Sequence, residues 1–272
     1  MTRPAVTDLI PAAIEAGAEI LRVYAAGDMT VETKADSSPV TEADQTAEAV
    51  ILAHLRRLAP EIPVVAEEEV AAGRVPEAAP AFFLVDPLDG TKEFINRNGE
   101  FTVNIALVVG GAPVSGVVYV PAMGEIYHGT VGEGAVRAEV RDGAIVDSRP
   151  IAVRPAPAAG PTVLASRSHR SPETDAFIER VKAAEIVNAG SSLKFCRIAA
   201  GEADLYPRLA PTMEWDTAAG DAVLRAAGGV TVTLDGVPLG YGKRGRADAK
   251  DFLNPWFVAS GSNLDPVLLG GE

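Results

Sequence analysis

Phe82-Phe83-Leu84-Val85 runs directly into Asp86-Pro87-Leu88-Asp89-Gly90-Thr91. Four large apolar residues in a row read as a strand buried on both faces, so the two aspartates must emerge where that strand leaves the core. A proline-stiffened turn there can present both carboxylates and the Leu88 carbonyl to a hard cation, which prefers oxygen ligands. Gly90 and Thr91 would open the next helix, whose free backbone N–H groups can receive a phosphate. Asp-Pro alone is a common turn with a helix cap. The whole hexapeptide behind a buried strand is far less common, and it favours a functional reading.

The pattern on either side is that of an α/β chain. Ile10, Ile14, Ala18 and Leu21 predict a helix over Asp8 to Ala25. A second helix carries Ala47, Val50, Ile51, Ala53, His54 and Leu58 and ends before Pro60. Ile62 to Ala66 reads as a short strand, 72–80 as a loop, and Thr102 to Val109, Pro113 to Tyr119 and Glu125 to Gly129 as strands of an antiparallel meander. Residues 152–161, rich in Pro and Ala, divide this α+β part, 1–151, from an α/β part, 152–272. In the second part strands are predicted at Thr162 to Ala165, Ile186 to Asn188, Asp204 to Tyr206 and Val230 to Thr233. Helices are predicted over Pro172 to Ala183, Leu193 to Gly201, and from Asp216 to Gly228-Gly229.

A net charge of −13 excludes a broad nucleic-acid surface, which needs a basic face. Phosphates can still bind an acidic chain where cations invert the local field. The single cysteine, Cys196, rules out an intrachain disulfide and reads as core within an apolar helix. Asp8 and Glu15 interrupt the apolar start that a signal peptide would need, and no stretch has the roughly 20 apolar residues of a membrane span. The default location is the cytoplasm, with peripheral attachment to the inner face of the cell membrane left open.

Two further acidic pieces accompany the hexapeptide. Glu67-Glu68-Glu69 would ordinarily be a solvated run, but Glu67 directly follows an apolar strand. Asp216, in Trp215-Asp216-Thr217-Ala218-Ala219-Gly220, is explained equally by N-capping or by a ligand role beside small residues that leave room. His54 and His128 look structural or exposed.

Glu67, then Asp86 to Thr91, then Trp215-Asp216 resemble the inositol monophosphatase superfamily in order and separation. Ser38 to Asp44 is similar to the segment before the family's catalytic aspartate, and Phe252-Leu253-Asn254-Pro255-Trp256-Phe257 to its last strand entry. The resemblance covers nearly the whole chain. It implies a layered αβαβα sandwich and a magnesium-dependent, lithium-sensitive phosphomonoesterase. Glu67, Asp86, Asp89, Asp216 and the Leu88 carbonyl would hold two or three Mg2+, and Asp44 with Thr91 would orient or deprotonate the attacking water.

Asp-Gly-Thr-Lys-Glu-Phe, Gly190 to Cys196, and Leu205-Tyr206-Pro207-Arg208 resemble the CysQ-type 3'(2'),5'-bisphosphate nucleotidases within the superfamily. That implies hydrolysis of adenosine 3',5'-bisphosphate to AMP, with its 5'-phosphosulfate counterpart as a further substrate. Ser191, Lys194 and Arg208 would hold the phosphate that is not cleaved, and Glu67, Leu88, Asp89, Gly90, Thr91 and Asp216 would also touch substrate. On the residues alone Lys194 and Arg208 could also be surface charges, a reading that fits Arg208 less well because Pro207 and Leu209 flank it. His169 either lines the nucleotide pocket or caps its loop. Inositol monophosphatase or fructose-1,6-bisphosphatase activity, or a regulator that binds phosphate without turnover, are the competing readings. The chain is expected as a monomer or homodimer.

Overall fold

Helix α1, Val6–Ala26, forms where Leu9, Ile10, Ala13, Ala16, Ile20 and Val23 bury one face. Strands β1, Val31–Thr33, and β2, Pro39–Thr41, form a small antiparallel pair leading into α2, Glu42–Leu58. A capping box starts α2: the Thr41 hydroxyl accepts from the Ala43 N–H, and Asp44 Oδ2 accepts from the Thr41 N–H at 2.7 Å. The structure, a computed structural model, describes residues 3–26, 31–33, 39–166 and 171–261. Ser38 and His169 lie outside them.

Next come β3, Val64–Ala66; α3, Glu67–Ala71; β4, Ala81–Asp89; and α4, Thr91–Ile95. The chain then folds back and forth through β5, Thr102–Val109; β6, Ala112–Val120; β7, Glu125–Thr130; β8, Gly134–Arg141; and β9, Ala144–Ile151. These strands form a seven-stranded sheet in the order β3-β4-β5-β6-β7-β8-β9, in which only the β3–β4 pair is parallel. The later part supplies β10, Thr162–Ser166; α5, Pro172–Arg180; β11, Glu185–Ala189; α6, Leu193–Ala199; β12, Leu205–Arg208; α7, Ala218–Ala226; β13, Val230–Thr233; and β14, Phe257–Ser260. Its sheet has the order β11-β10-β12-β14-β13, parallel across the first three strands and antiparallel beyond.

Three hydrophobic cores stack these elements into an αβαβα sandwich. The first joins α1 and α2 to one face of the large sheet, through Leu9, Ile20, Ile51, Leu55, Phe83 and Ile105. A second fills the space between both sheets around α6 and α7, through Leu84, Val118, Phe195, Val223, Tyr206 and Phe257. A third seats α5 on the outer face of the small sheet, through Phe177, Ile178, Val163 and Val258. Contact across the middle layer is close. A Cβ added at Gly116 in β6 would stand 2.4 Å from the Ala219 carbonyl oxygen in α7, so only glycine lets helix and sheet approach this far.

Several elements differ from expectation. β8 and β9 form where no strand was predicted; β9 is largely exposed, so it lacks the alternation that marks a half-buried strand. Asp86 to Asp89 is a continuation of β4 with a register shift rather than a free turn, and Pro87, which cannot donate to a ladder, falls within the irregularity. α5 stops at Arg180, because Lys182 takes a left-handed φ of 51°. Asp216 does not open α7; Thr217 is the residue before that helix, and Asp216 belongs to the preceding turn. A division into independently folding units, 1–151 and 152–272, is a proposal that separate expression of the two pieces would test. No helix among the described residues is long and apolar enough to cross a membrane.

Candidate active site

A cavity of about 380 Å³ opens beyond the ends of β3, β4 and β12, bordered by Glu67, Asp89, Gly90, Thr91, Ser191, Lys194, Arg208 and Asp216. Residues far apart in sequence meet here because the ends of β3 and β4 in one sheet face the end of β12 and the start of α6 across the middle layer. Asp86 does not border the cavity. It is 2% exposed and accepts the Leu88 N–H on Oδ1 at 3.0 Å.

Thr91 begins α4, after Gly90 at φ 91°, a left-handed conformation that favours glycine. Its hydroxyl faces two acceptors, Asp44 Oδ1 at 3.3 Å and the Leu88 carbonyl at 3.4 Å. Asp44 is 2% exposed, and its other oxygen is held by the Thr41 N–H and hydroxyl, both at 2.7 Å. One aspartate therefore caps α2 and meets Thr91 from 47 residues away.

The segment before α6 is the seam between the two sides. The Gly190 N–H donates to Glu100 Oε2 at 2.9 Å, and a Cβ there would meet the Glu100 carbonyl at 2.7 Å. Ser191 Oγ lies 2.9 Å from Thr102 Oγ1. The Ser192 N–H donates to Asp89 Oδ2 at 2.6 Å, while its hydroxyl accepts from Asn104 Nδ2 at 3.1 Å and donates to the Asp216 carbonyl. Lys194 is 2% exposed and donates to the Ser191 carbonyl at 2.6 Å, with its ammonium 4.9 Å from the centre of the Tyr206 ring. Burial pulls its pKa down to about 8, against the opposing attraction of Asp89. Arg208 is 7% exposed. Its Nη2 donates to the Pro211 carbonyl at 2.5 Å, and its Nε has no hydrogen-bond partner. Neither cation is a surface charge.

Asp216 Oδ2 accepts from the Thr212 hydroxyl at 2.7 Å and the Met213 N–H at 2.9 Å. Burial, then repulsion from Asp89 and Glu67, pushes its carboxyl above the usual carboxylate range. Asp89 is also pushed up, chiefly by burial, with Lys194 pulling the other way. Among the described residues no three His, Cys, Asp or Glu side chains are gathered tightly enough to enclose a metal ion. The donor chemistry nevertheless fits a hard divalent cation. Four carboxylates, Glu67, Asp89, Glu93 and Asp216, border one cavity, all the candidate donors are oxygen, and neighbouring carboxylates oppose the ionisation of Asp216 and Asp89, which positive charge would relieve.

Two buried carboxylates that anchor segments beside the cavity have no counterpart among the residues singled out from sequence. Glu48, on α2, is 4% exposed and accepts from the N–H groups of Glu68 and Glu69. Glu214, fully buried, accepts from the Gly242 and Lys243 N–H groups and pairs with the Lys243 ammonium at 2.7 Å, fixing the loop that carries Asp216. Asn254 completes that anchor by donating to the Met213 carbonyl and the Thr217 hydroxyl. Nothing in the sequence distinguished Glu48 from a solvated helix glutamate; Glu214 had one signal, its place beside Trp215-Asp216. His54 pairs with Glu15 at 2.6 Å, and neither it nor His128 borders the cavity. Cys196 is fully buried, and burial pushes its thiol pKa up, away from reactivity.

This fold and cavity place the chain in a known class: it belongs to the inositol monophosphatase family, whose model matches residues 3–261. It is 45% identical over 251 residues to the 3'(2'),5'-bisphosphate nucleotidase CysQ of Escherichia coli O157:H7, a match covering 90% of this chain and 95% of that one. The crystal structure of CysQ from Bacteroides thetaiotaomicron superposes with a TM-score of 0.76 at 40% identity, covering 95% of this chain and 97% of that one. An inositol monophosphatase from Anabaena (Nostoc) sp. PCC 7120 shares the fold, with a TM-score of 0.72 at 24% identity and coverage of 97% of this chain and 93% of that one.

Proposed function

We propose that this chain is a 3'(2'),5'-bisphosphate nucleotidase that hydrolyses adenosine 3',5'-bisphosphate to AMP and phosphate, and takes the corresponding 5'-phosphosulfate as a second substrate. The observation that carries the reading is Arg208. It is a buried guanidinium with an unsatisfied Nε, bordering the same cavity as the acidic cluster. A substrate with one phosphate at the carboxylate end needs no such cation. A substrate with two anionic groups does, and Lys194 stands beside it. The nucleotidase relatives support the same choice.

In this reading Glu67, Asp89 and Asp216 would hold two or three Mg2+, joined by Asp86 and the Leu88 carbonyl, which stand just behind the cavity lining. When bound, the ions neutralise the phosphate oxygens and lower the pKa of the attacking water. Thr91 and Asp44 orient that water. With its own proton given to Asp44, the Thr91 hydroxyl is left to accept one from water. Ser191, Lys194 and Arg208 hold the remote phosphate, with Gly90 lining the cleaved end. No covalent intermediate is needed.

A panel of adenosine 3',5'-bisphosphate, inositol 1-phosphate and fructose 1,6-bisphosphate, assayed with and without Mg2+, tests the reading. The bisphosphonucleotide is expected to give the highest kcat/KM by at least about tenfold, with no turnover after chelation. Preference for inositol phosphate or fructose bisphosphate would overturn it, and no turnover of any would favour a binding protein. Lithium gives a separate test. Li+, a small hard cation, is expected to inhibit at fixed Mg2+ by taking one cation position. LiCl should therefore lower the rate at concentrations where NaCl does not; equal loss with both salts would reduce the effect to ionic strength.

A further inference from the structure

Helix α2 carries two buried carboxylates one turn apart, Asp44 and Glu48. Asp44 reaches Thr91. Glu48 reaches the start of α3, where Oε2 accepts from the Glu68 N–H at 2.8 Å and Oε1 from the Glu69 N–H at 2.9 Å. The first N–H groups of a helix have no acceptor within it, and Ala66, the residue before α3, has no side chain that could cap it. The cap therefore comes from another helix, through both oxygens of one carboxylate. Glu67 is the first residue of the helix so capped, and it borders the cavity. Burying a carboxylate is costly unless its hydrogen bonds are made, and these two bonds hold Glu48 in place.

We propose that Glu48 is a positioning residue for Glu67. It fixes the first turn of α3 against α2, so that the Glu67 carboxylate and the Asp44–Thr91 pair are held by one rigid helix. The cation ligand and the water-orienting pair then keep a constant separation. This rests on the reading of Glu67 as a cation ligand.

The test is direct Mn2+ binding to the metal-free, full-length protein, followed by electron paramagnetic resonance, with thermal melting as the control for folding. Glu67→Gln tests the underlying reading, and Glu48→Ala and Glu48→Gln test the inference. Outer partners of metal ligands are worth about 10–100-fold in metal affinity, so Glu48→Ala is expected to weaken Mn2+ binding by that amount. Glu48→Gln, which keeps the shape and one acceptor, should weaken it less. In activity, the Mg2+ concentration for half-maximal rate should rise, while kcat at saturating Mg2+ falls less than about threefold. A residue serving stability alone would lower the melting temperature and leave Mn2+ affinity unchanged. If Glu67→Gln weakens Mn2+ binding and both folded Glu48 variants bind as the parent does, the positioning role is overturned. If Glu67→Gln binds Mn2+ normally, the reading of Glu67 is what fails, and this inference fails with it. Should Glu48→Ala not fold, Glu48→Gln decides the question by the same measurement.

Discussion

Asp89→Asn is expected to lower kcat on adenosine 3',5'-bisphosphate by on the order of 10³-fold, about 4 kcal/mol of transition-state stabilisation. Asparagine keeps the size of aspartate and retains a carbonyl oxygen for the Ser192 N–H, so the seam before α6 need not open. What it loses is a negative charge in a place where burial and Glu93 already oppose that charge. A residue serving only the fold would do better as the neutral amide there. The melting temperature is therefore expected to stay within about 3 °C of the parent, while Mg2+-dependent turnover collapses. Near-normal activity at ordinary Mg2+ would remove Asp89 from the cation site and leave it a structural tie to Ser192.

The second large effect is one of selectivity. Arg208→Ala is expected to lower kcat/KM for the bisphosphate by about 10²-fold, since hydrogen bonds to charged groups contribute roughly 1.5–3 kcal/mol each and a guanidinium can engage two oxygens. Hydrolysis of inositol phosphate, which has no second phosphate, should change by no more than about threefold. Arg208 also ties β12 to the Pro211 carbonyl, but loss of that bond would slow both substrates alike and cancels in the ratio. Arg208→Lys, with charge but no planar fork, should fall between parent and alanine variant. Lys194→Ala should resemble Arg208→Ala in direction and be milder. Equal proportional losses for both substrates would show that these cations serve the fold or the acidic end, and the assignment of a second phosphate would lose its main support.

The acidic end was legible in the sequence because its residues belong to short contiguous pieces next to apolar strands. Phe82 to Val85 announced a buried strand, and the two aspartates had to follow it. The Asp44–Thr91 contact came from family resemblance alone; no local pattern links residues 47 positions apart. Asp216 was misplaced by one residue because an aspartate before small helix formers looks like an N-cap, whereas Thr217 holds that place and Asp216 Oδ2 takes the Thr212 hydroxyl and the Met213 N–H. β8 and β9 were missed for the opposite reason, since Arg, Glu and Asp along exposed outer strands carry no burial signal. Glu48 was illegible in principle, and Glu214 had only its place beside Trp215-Asp216 to mark it. A glutamate declares its burial only through the backbone N–H groups it meets, and those come from other parts of the chain.

The place of β14 bears on how the protein is made. Phe257–Ser260 is the last strand in sequence among the described residues, yet it lies between β12 and β13, and Phe257 stands opposite Arg208 in register. While the chain is being synthesised, β12 and β13 have nothing to join them until residue 260 has left the ribosome. The pocket wall that carries Arg208 is thus among the last parts to close, well after the acidic end has been translated. A nascent chain would have its carboxylates translated without the strand that backs Arg208. Emergence of β14, rather than any earlier folding event, would then mark the moment at which this wall of the cavity can close.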